Sequence, residues 1–168
     1  LIVDAVTPAV LDSLLAEFPA ARRWVVGYSG GLDSSVLLHL CVRFLADRDD
    51  APRLLALHVN HAVHAYAADW EQHCARVCAA LGVVFVARRA QLPCDGSGHV
   101  SEDVLRVARY REFESFCSES DLLLLAHHRD DQSETVLLRL LRGAGPAGLA
   151  GMPRARMLGR AMLCRPLL

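Results

Sequence analysis

The sequence contains no lysine, so all 18 of its basic residues are arginine. This usage is first of all typical of a genomic bias in composition. Acidic residues number 19, and the formal net charge is −1 with histidine neutral. A bulk charge so close to zero gives no sign of nucleic-acid binding. Charge is unevenly distributed, however, because no acidic residue follows Glu134 and several arginines do. The last part of the sequence is therefore locally basic.

The six cysteines include no Cys-x-x-Cys pair, which argues against a zinc ribbon or an iron–sulfur site. Cys74 and Cys78 lie one helical turn apart and are predicted to be small buried side chains on one helix face. Free thiols of this kind indicate a reducing cytosol. No apolar run reaches the ~18 residues of a membrane span, and no signal peptide is recognisable. We therefore expect a cytoplasmic protein without membrane contact.

Apolar segments of strand length alternate with amphipathic segments of helix length. The 168 residues suit one domain, and 53% of them are hydrophobic. Strands are predicted at residues 24–28, 54–60, 83–89 and 121–128. Helices are predicted at residues 9–18, 34–46, 66–81, 101–117 and 130–142. Because the strands are almost entirely apolar, we expect an α/β fold, Rossmann-like, with three α/β/α layers around a mainly parallel sheet of about five strands.

Polar segments follow three of the predicted strands. They read YSGGLDSS after the first strand, HVNH after the second and AHHRDDQSET after the fourth. Ligands of parallel sheets bind outside the carboxyl ends of the strands. The three segments are therefore predicted to line one crevice.

The segment SGGLDS (residues 29–34, the SGGLDS loop) joins a predicted strand to a predicted helix. Glycines allow the backbone to approach a ligand closely, and a helix that begins after them directs free N–H groups at the loop. The loop has these features of a phosphate cradle, although it lacks the Gly-Lys-Ser/Thr of a Walker A motif. The alternative is a plain strand-to-helix turn with Asp33 or Ser34 as the N-cap.

The SGGLDS loop resembles the PP-loop signature of ATP pyrophosphatases, which cleave ATP between its α- and β-phosphates. Four further motifs resemble the tRNA(Ile)-lysidine synthetase family in order and spacing: HVNH (58–61), RxxRY (106–110), AHHRDDQSET (126–135) and RGAGPAGLAGM (142–152). The resemblance covers about residues 22–168 and implies the adenine nucleotide alpha hydrolase-like fold. Ala62, Val63 and Leu105 depart from the usual family pattern.

The resemblance implies a ligase that forms a carbon–nitrogen bond. In that family, lysine is joined to C2 of the wobble cytidine of tRNA(Ile) with a CAU anticodon, through an adenylylated base, with release of pyrophosphate and then AMP. It implies ATP and Mg²⁺ as cofactors, tRNA(Ile) and free L-lysine as partners, and it is compatible with a homodimer. Residues 1–168 would form the N-terminal catalytic domain, and the C-terminal tRNA-binding domains would lie outside this sequence.

The resemblance also implies roles for individual residues. ATP would be bound by Ser29, Gly30, Gly31, Leu32, Asp33 and Ser34, and by the backbone near His58 and Asn60. The catalytic residues would be Asp33, Arg106, Asp131 and Glu134, with Asp33 and Asp131 as the Mg²⁺ ligands. The lysine and tRNA substrates would contact Arg109, His128, Asp130, Arg142 and Gly143.

Structural roles remain open for several of these residues. Arg106 and Arg109 would otherwise form a solvated helix face, and Glu134 would be a first-turn acid that favours the helix dipole. Two other functions also remain open. Another PP-loop enzyme, such as a tRNA thiolase, usually carries paired cysteines, which are missing here. A non-enzymatic ATP-binding module has little need for the acidic cluster at 130–134.

Overall fold

The computed structural model describes residues 7–63, 65–92, 100–145 and 148–168. Its strands are β1 (Arg23–Gly27), β2 (Arg53–Asn60), β3 (Val84–Arg89), β4 (Asp121–Leu124), β5 (Ala155–Leu158) and β6 (Ala161–Cys164). Its α-helices are α1 (Asp12–Glu17), α2 (Leu32–Leu45), α3 (Ala67–Ala80), α4 (Glu102–Phe116) and α5 (Arg129–Leu141), with short 3₁₀ helices at Pro8–Leu11 and Gly148–Ala150. All four predicted strands and all five predicted helices are present, with small shifts at their ends.

The six strands form one sheet in the order β3-β2-β1-β4-β6-β5. All neighbouring pairs are parallel except β5 and β6, which are antiparallel. The sheet therefore has six strands where about five were expected. The two strands of the hairpin β5–β6 were not among the four strands predicted from the sequence. Gly159 makes its turn with a φ of 56°, a backbone conformation that glycine adopts without a Cβ penalty.

Side chains alternate between the two faces of the sheet, and helices cover both faces. Trp24, Val26 and Leu124 pack against α2 and α3 on one face. Val25 and Leu123 pack against Phe113 of α4 on the other face. This arrangement confirms the predicted three-layer α/β/α fold. Cys74 and Cys78 are fully buried on α3, as predicted.

Helix α5 differs from the other long helices, because none of its residues is buried. Leu137, Leu138, Leu140 and Leu141 are all exposed, Leu141 to 83%. The helix contacts the segment after it through Gln132, whose amide donates to Met152 O at 2.9 Å and whose carbonyl accepts from Met152 N. In its last turn, Arg139 donates from Nη1 to Gly151 O at 2.9 Å, so the same segment holds the helix near both ends.

No helix within the described ranges combines the length and apolar character that a membrane crossing needs. His64 and most of the polar loop at residues 91–99, including Cys94, lie outside the described residues. Residues 146 and 147 of the RGAGPAGLAGM motif (142–152) also lie outside the described residues.

Candidate active site

A crevice of about 820 Å³ opens at the carboxyl ends of β1, β2 and β4. Its walls include Ser29 after β1, Asn60 at the end of β2 and His127 after β4. Helix α4 supplies a further wall through Arg106 and Arg109. The volume suits a nucleotide-sized ligand. The convergence of the three polar segments, predicted from strand order, is confirmed.

The SGGLDS loop turns the chain from β1 into α2. Gly30 has a φ of 80°, and Gly31 is the extended N-cap residue, so that α2 begins at Leu32. The first N–H groups of a helix have no intrahelical acceptor and carry the positive end of its dipole. Since α2 begins at the wall of the crevice, these groups are suited to bind an anion there.

Gly30 is required by packing as well as by backbone conformation. A Cβ at this position would lie 2.5 Å from Cys74 Sγ and 3.0 Å from Trp70 Nε1. Both side chains belong to α3, and Trp70 Nε1 donates a hydrogen bond to Ser29 O at 2.7 Å. Helix α3 therefore holds the back of the SGGLDS loop.

The serine hydroxyls of the loop hydrogen-bond to one another and to the loop backbone. Ser29 Oγ and Ser34 Oγ lie 3.0 Å apart, and Ser34 Oγ donates to Gly31 O at 3.0 Å. Ser35 Oγ donates to the same carbonyl oxygen at 2.9 Å. Ser34 is 5% exposed. The hydroxyls thus stabilise the turn itself.

Asp33 and Asp131 approach one imidazole from two different helices. His128 Nε2 lies 3.7 Å from Asp33 Oδ1 and 3.7 Å from Asp131 Oδ2. His128 is also the N-cap of α5: its Nδ1 accepts from Asp130 N at 3.3 Å, while its own N–H donates to Asp131 Oδ2 at 2.8 Å. This capping box fixes Asp131 beside the crevice.

The predicted site residues divide into two groups. Those that line the crevice are Ser29, Gly31, Asp33, Ser34, His58, Asn60, Arg106, Arg109 and Asp131. Those that lie outside its lining are Gly30, Leu32, His128, Asp130, Glu134, Arg142 and Gly143. Leu32 is 79% exposed. Arg142 follows the last residue of the 13-residue helix α5, and such a helix is about 20 Å long, so Arg142 and Gly143 lie about that far from the His128 end of the helix.

The two arginines of α4 are not equivalent. Arg106 Nη2 is bonded to Asp103 Oδ1 of its own helix at 3.0 Å. Arg109 has no hydrogen-bond or ion-pair partner within the described part of the chain, and its charge contributes to lowering the pKa values of His61 and His127. Arg109 is thus the cation most available to a phosphate in this crevice.

The segment His58–His61 supports the crevice from β2. His58 is buried, and its Nδ1 donates to Tyr28 O at 2.9 Å. Asn60 donates from Nδ2 to Glu71 Oε2 at 2.7 Å and accepts at Oδ1 from Ala62 N at 2.8 Å. The His58 side chain thus ties β2 to the residue after β1, whereas the Asn60 side chain holds the turn at Ala62, whose φ is 53°.

Several lining residues were not predicted as site residues. Trp70, His61, Tyr110 and His127 all border the crevice. Both ring nitrogens of His61 are buried without a partner among the described residues. Burial, together with Arg109 and His58, lowers its pKa. The histidine content of HVNH and AHHR was a usable signal for His61 and His127, whereas nothing local marks Trp70.

Carboxylate oxygens are the ligands that Mg²⁺ prefers, usually one or two together with phosphate oxygens. Asp33 and Asp131 fit such a role because both reach the same point beside the loop. Within the described residues, no group of three histidine, cysteine or acidic side chains is arranged to hold a metal by itself. The donor set therefore suits a cation shared with phosphate rather than a closed protein site.

Comparison with known proteins gives long matches. The tRNA(Ile)-lysidine synthase of Pseudomonas syringae pv. tomato is 51% identical over 161 residues, which are 96% of this chain and 35% of that protein. Those of Pseudomonas aeruginosa and Coxiella burnetii are 50% and 41% identical, over 92% and 96% of this chain. The chain spans about a third of the length of these curated relatives.

A solved structure, the U34-tRNA thiolase NcsA from Methanococcus maripaludis with its 4Fe-4S cluster, matches 94% of this chain and 56% of its own chain with a TM-score of 0.71. At 19% identity this likeness concerns the fold alone. The family model described as the PP-loop domain matches residues 6–168. Because this match includes the SGGLDS loop and every element of the crevice, the chain belongs to the PP-loop domain family.

Proposed function

We propose that this chain is the ATP-using domain of a tRNA(Ile)-lysidine synthetase. Its reaction would join lysine to C2 of the wobble cytidine of tRNA(Ile) with a CAU anticodon. The observation that carries the proposal is an identity of 51% over 96% of the chain to a tRNA(Ile)-lysidine synthase. The crevice supports it, because it combines an anion-binding loop with cationic and acidic walls.

In the first step, the C2 carbonyl oxygen of the cytidine attacks the α-phosphorus of ATP. A new P–O bond forms, and the bond to the leaving pyrophosphate breaks. The first-turn N–H groups of α2 would bind the departing phosphates. Phosphoryl-type transfer depends mainly on positioning and charge neutralisation. Arg109, which has no partner among the described residues, would neutralise charge on the reacting phosphate, with Arg106 beside it once released from Asp103.

Mg²⁺, when bound, supplies further neutralisation of phosphate charge. Asp33 and Asp131 would hold it, since they are the two carboxylates that line the crevice beside the loop. His128 lies between these carboxylates and would keep them oriented. The backbone near His58 and Asn60 would contact adenine, because the side chains of both residues are already engaged within the protein, His58 with Tyr28 O and Asn60 with Glu71.

In the second step, the ε-amine of lysine attacks C2, and AMP leaves with the former carbonyl oxygen. The amine must lose a proton before it attacks, so a nearby base is required. Glu134 is exposed on α5, three residues after Asp131. We assign Glu134 to binding and deprotonating the ammonium, with Asp130 and His128 near it. Arg142 and Gly143 would contact tRNA phosphates farther away, and such contacts weaken as salt rises.

The proposal is tested by incubating labelled lysine, ATP, Mg²⁺ and unmodified tRNA(Ile) with the full-length protein, of which the proposal makes this chain a part. Lysine incorporation, AMP and pyrophosphate are followed together. The 168-residue chain and an Asp33→Ala variant are run beside it. We expect lysine transfer with equal amounts of AMP and pyrophosphate, and none of these with Asp33→Ala.

Two results would contradict the assignment in different ways. Release of AMP and pyrophosphate without lysine uptake keeps the PP-loop chemistry and rejects lysine as the nucleophile, so that sulfide or ammonia is tested next. Intact ATP after prolonged incubation with tRNA and lysine rejects an enzymatic role and favours a nucleotide-binding module.

A further inference from the structure

Arg165 is a buried cation immediately after β6. It is 4% exposed, although arginine is almost never fully buried unless it is paired. Within the described residues, no carboxylate forms an ion pair with it. The end of β6 lies beside the end of β4, because these strands are parallel neighbours. Arg165 is therefore held behind the crevice wall that β4 continues.

Among the described residues, the guanidinium of Arg165 donates three hydrogen bonds. It donates from Nη1 to Pro153 O at 2.8 Å, from Nη2 to the Tyr110 hydroxyl at 3.3 Å and from Nε to His127 Nδ1 at 3.3 Å. Tyr110 and His127 both line the crevice, whereas Arg165 does not. One buried cation thus connects two lining side chains that come from different elements.

The bond to His127 restricts the imidazole to one arrangement. A guanidinium has only donors, so His127 Nδ1 must accept with its lone pair. In a neutral imidazole the proton is then on Nε2. Because Nδ1 is turned toward Arg165 behind the wall, the Nε2 edge is the one left for the crevice. This makes His127 a donor of known direction at the site.

The charges around His127 favour this neutral form. Burial lowers its pKa first, and Arg165 after β6 and Arg109 on α4 lower it further. Asp131 on α5 acts in the opposite direction, and the adjacent His128 makes a small contribution of its own. The positive charge of Arg165, which is bonded to Nδ1, also polarises the Nε2–H bond and makes it a stronger hydrogen-bond donor.

We propose that Arg165 is a positioning residue that holds His127 with its Nε2–H directed into the crevice, where it donates to a phosphate oxygen of the bound nucleotide. The nucleotide part rests on the proposed function. The orientation and tautomer of His127 do not, because they follow from the hydrogen bonds of Arg165 alone.

The tautomer is measured directly on the 168-residue chain labelled with ¹⁵N. Long-range ¹H–¹⁵N correlation spectra distinguish an Nε2–H imidazole from an Nδ1–H imidazole, and a His127→Gln variant assigns the signals. We expect a single Nε2–H tautomer for His127 and its loss or mixing in Arg165→Gln. Arg160→Gln is the matched control, because Arg160 is exposed and pairs only with Glu119 among described residues; it should leave the tautomer unchanged.

Calorimetric titration with ATP and Mg²⁺ then tests the role of the donor. Loss of one hydrogen bond to a charged group should weaken ATP binding about tenfold in Arg165→Gln. Glutamine places an amide N–H near the position of Nε2, so His127→Gln should retain more affinity than His127→Asn. Arg160→Gln should bind ATP like the unmodified chain.

Each outcome decides a defined part of the proposal. A proton on His127 Nδ1 in the unmodified chain overturns it, whether or not Arg165→Gln folds. An unchanged tautomer in folded Arg165→Gln overturns it as well, and so does equal ATP affinity of His127→Gln and His127→Asn. If the unmodified chain shows the Nε2–H tautomer but fails to bind ATP, the proposed function fails while the positioning of His127 by Arg165 stands.

Discussion

Trp70 Nε1 donates a hydrogen bond to the backbone carbonyl oxygen of Ser29 at 2.7 Å. The two residues are 41 positions apart in the sequence, and the bond links helix α3 to the first residue of the SGGLDS loop. The Trp70 side chain is also in the position that a Cβ at Gly30 would approach. The conformation of the loop therefore depends on α3, which is distant in the sequence.

Trp70→Phe should weaken ATP binding about two- to twelvefold, because a typical hydrogen bond contributes about 0.5–1.5 kcal/mol net. The free energy of unfolding should change little, since Trp70 is 48% exposed. Isothermal titration with ATP and urea unfolding measure the two quantities.

Trp24→Phe is the matched control for this prediction. Trp24 is fully buried, stacks on Phe44 with ring centroids 5.8 Å apart, and its Nε1 has no partner within the described residues. The free energy of unfolding should fall by about 2 kcal/mol, with ATP affinity of the folded chain unchanged. Equal ATP affinities of Trp70→Phe and the unmodified chain would show that the Trp70 bond does not support the loop.

Gly30→Ala should abolish measurable ATP binding and destabilise the fold. The added Cβ would lie 2.5 Å from Cys74 Sγ in a backbone with a φ of 80°. Gly82→Ala is the control, because its φ is 67° but no atom lies within 4 Å of the added Cβ. That variant should lose only about 1–2 kcal/mol of stability from backbone strain and bind ATP normally. A Gly30→Ala chain that binds ATP like Gly82→Ala would contradict the prediction.

Arg109→Gln should reduce ATP affinity more than Arg106→Gln. Arg109 has no partner in the described structure, so its charge is available to phosphate, whereas Arg106 already pairs with Asp103 at 3.0 Å. An interaction between exposed charges is screened by salt. The difference between the two variants should therefore shrink when the titration is repeated at high ionic strength. Equal losses of ATP affinity in the two variants, or a difference that salt does not reduce, would reject Arg109 as the main phosphate-binding cation.

Asp121→Asn should remove a pH-dependent part of the stability. Asp121 is 3% exposed and accepts from Arg23 at 2.8 and 2.6 Å. Burial alone would raise its pKa, but hydrogen bonds from Arg23 and Ser118 outweigh burial and the net pKa is lowered. The unfolded chain then takes up the proton first, so the stabilisation is present above about pH 4 and is lost as the pH falls through the folded-state pKa.

Urea unfolding of both chains between pH 7 and pH 3 measures this effect. We expect Asp121→Asn to lower the free energy of unfolding by about 2 kcal/mol at pH 7. The difference between the unmodified chain and the variant should narrow as the pH falls. Glu119→Gln removes an ion pair with Arg160 in which both side chains are more than 70% exposed, and it should change stability little at any pH. If the difference in free energy of unfolding between Asp121→Asn and the unmodified chain stays constant from pH 7 to pH 3, ionisation of the Asp121 carboxylate is not its cause.

The crevice could be predicted from sequence because its parts are local. The SGGLDS loop needs only a strand, two glycines and a helix, and the convergence of three loops follows from parallel strands. The same reasoning failed for the β5–β6 hairpin, since each strand has four residues and an arginine interrupts the apolar pattern. A short edge strand is stabilised by its neighbour, which the local sequence does not contain.

The other features that could not be predicted from the sequence depend mainly on contacts between residues far apart in the chain. In the sequence, Arg165 is only one of several arginines in the locally basic last part, because its partners His127 and Tyr110 are 38 and 55 residues away. His128 as an N-cap was equally hard to foresee, because serine, threonine, aspartate and asparagine are the preferred residues there. Helix α5 was predicted correctly, but the exposure of its leucines was not foreseen.

The central position of β1 also has a consequence for how the chain folds. One neighbour of β1 is β2, but the other is β4, and the pair Arg23–Asp121 spans 98 positions. Closing so long a loop makes folding slow relative to chains with local contacts. During synthesis, at about 5–20 residues per second, the SGGLDS loop emerges well before Asp131. A nascent chain that stalls between them carries the phosphate-binding turn without the acidic wall that faces it.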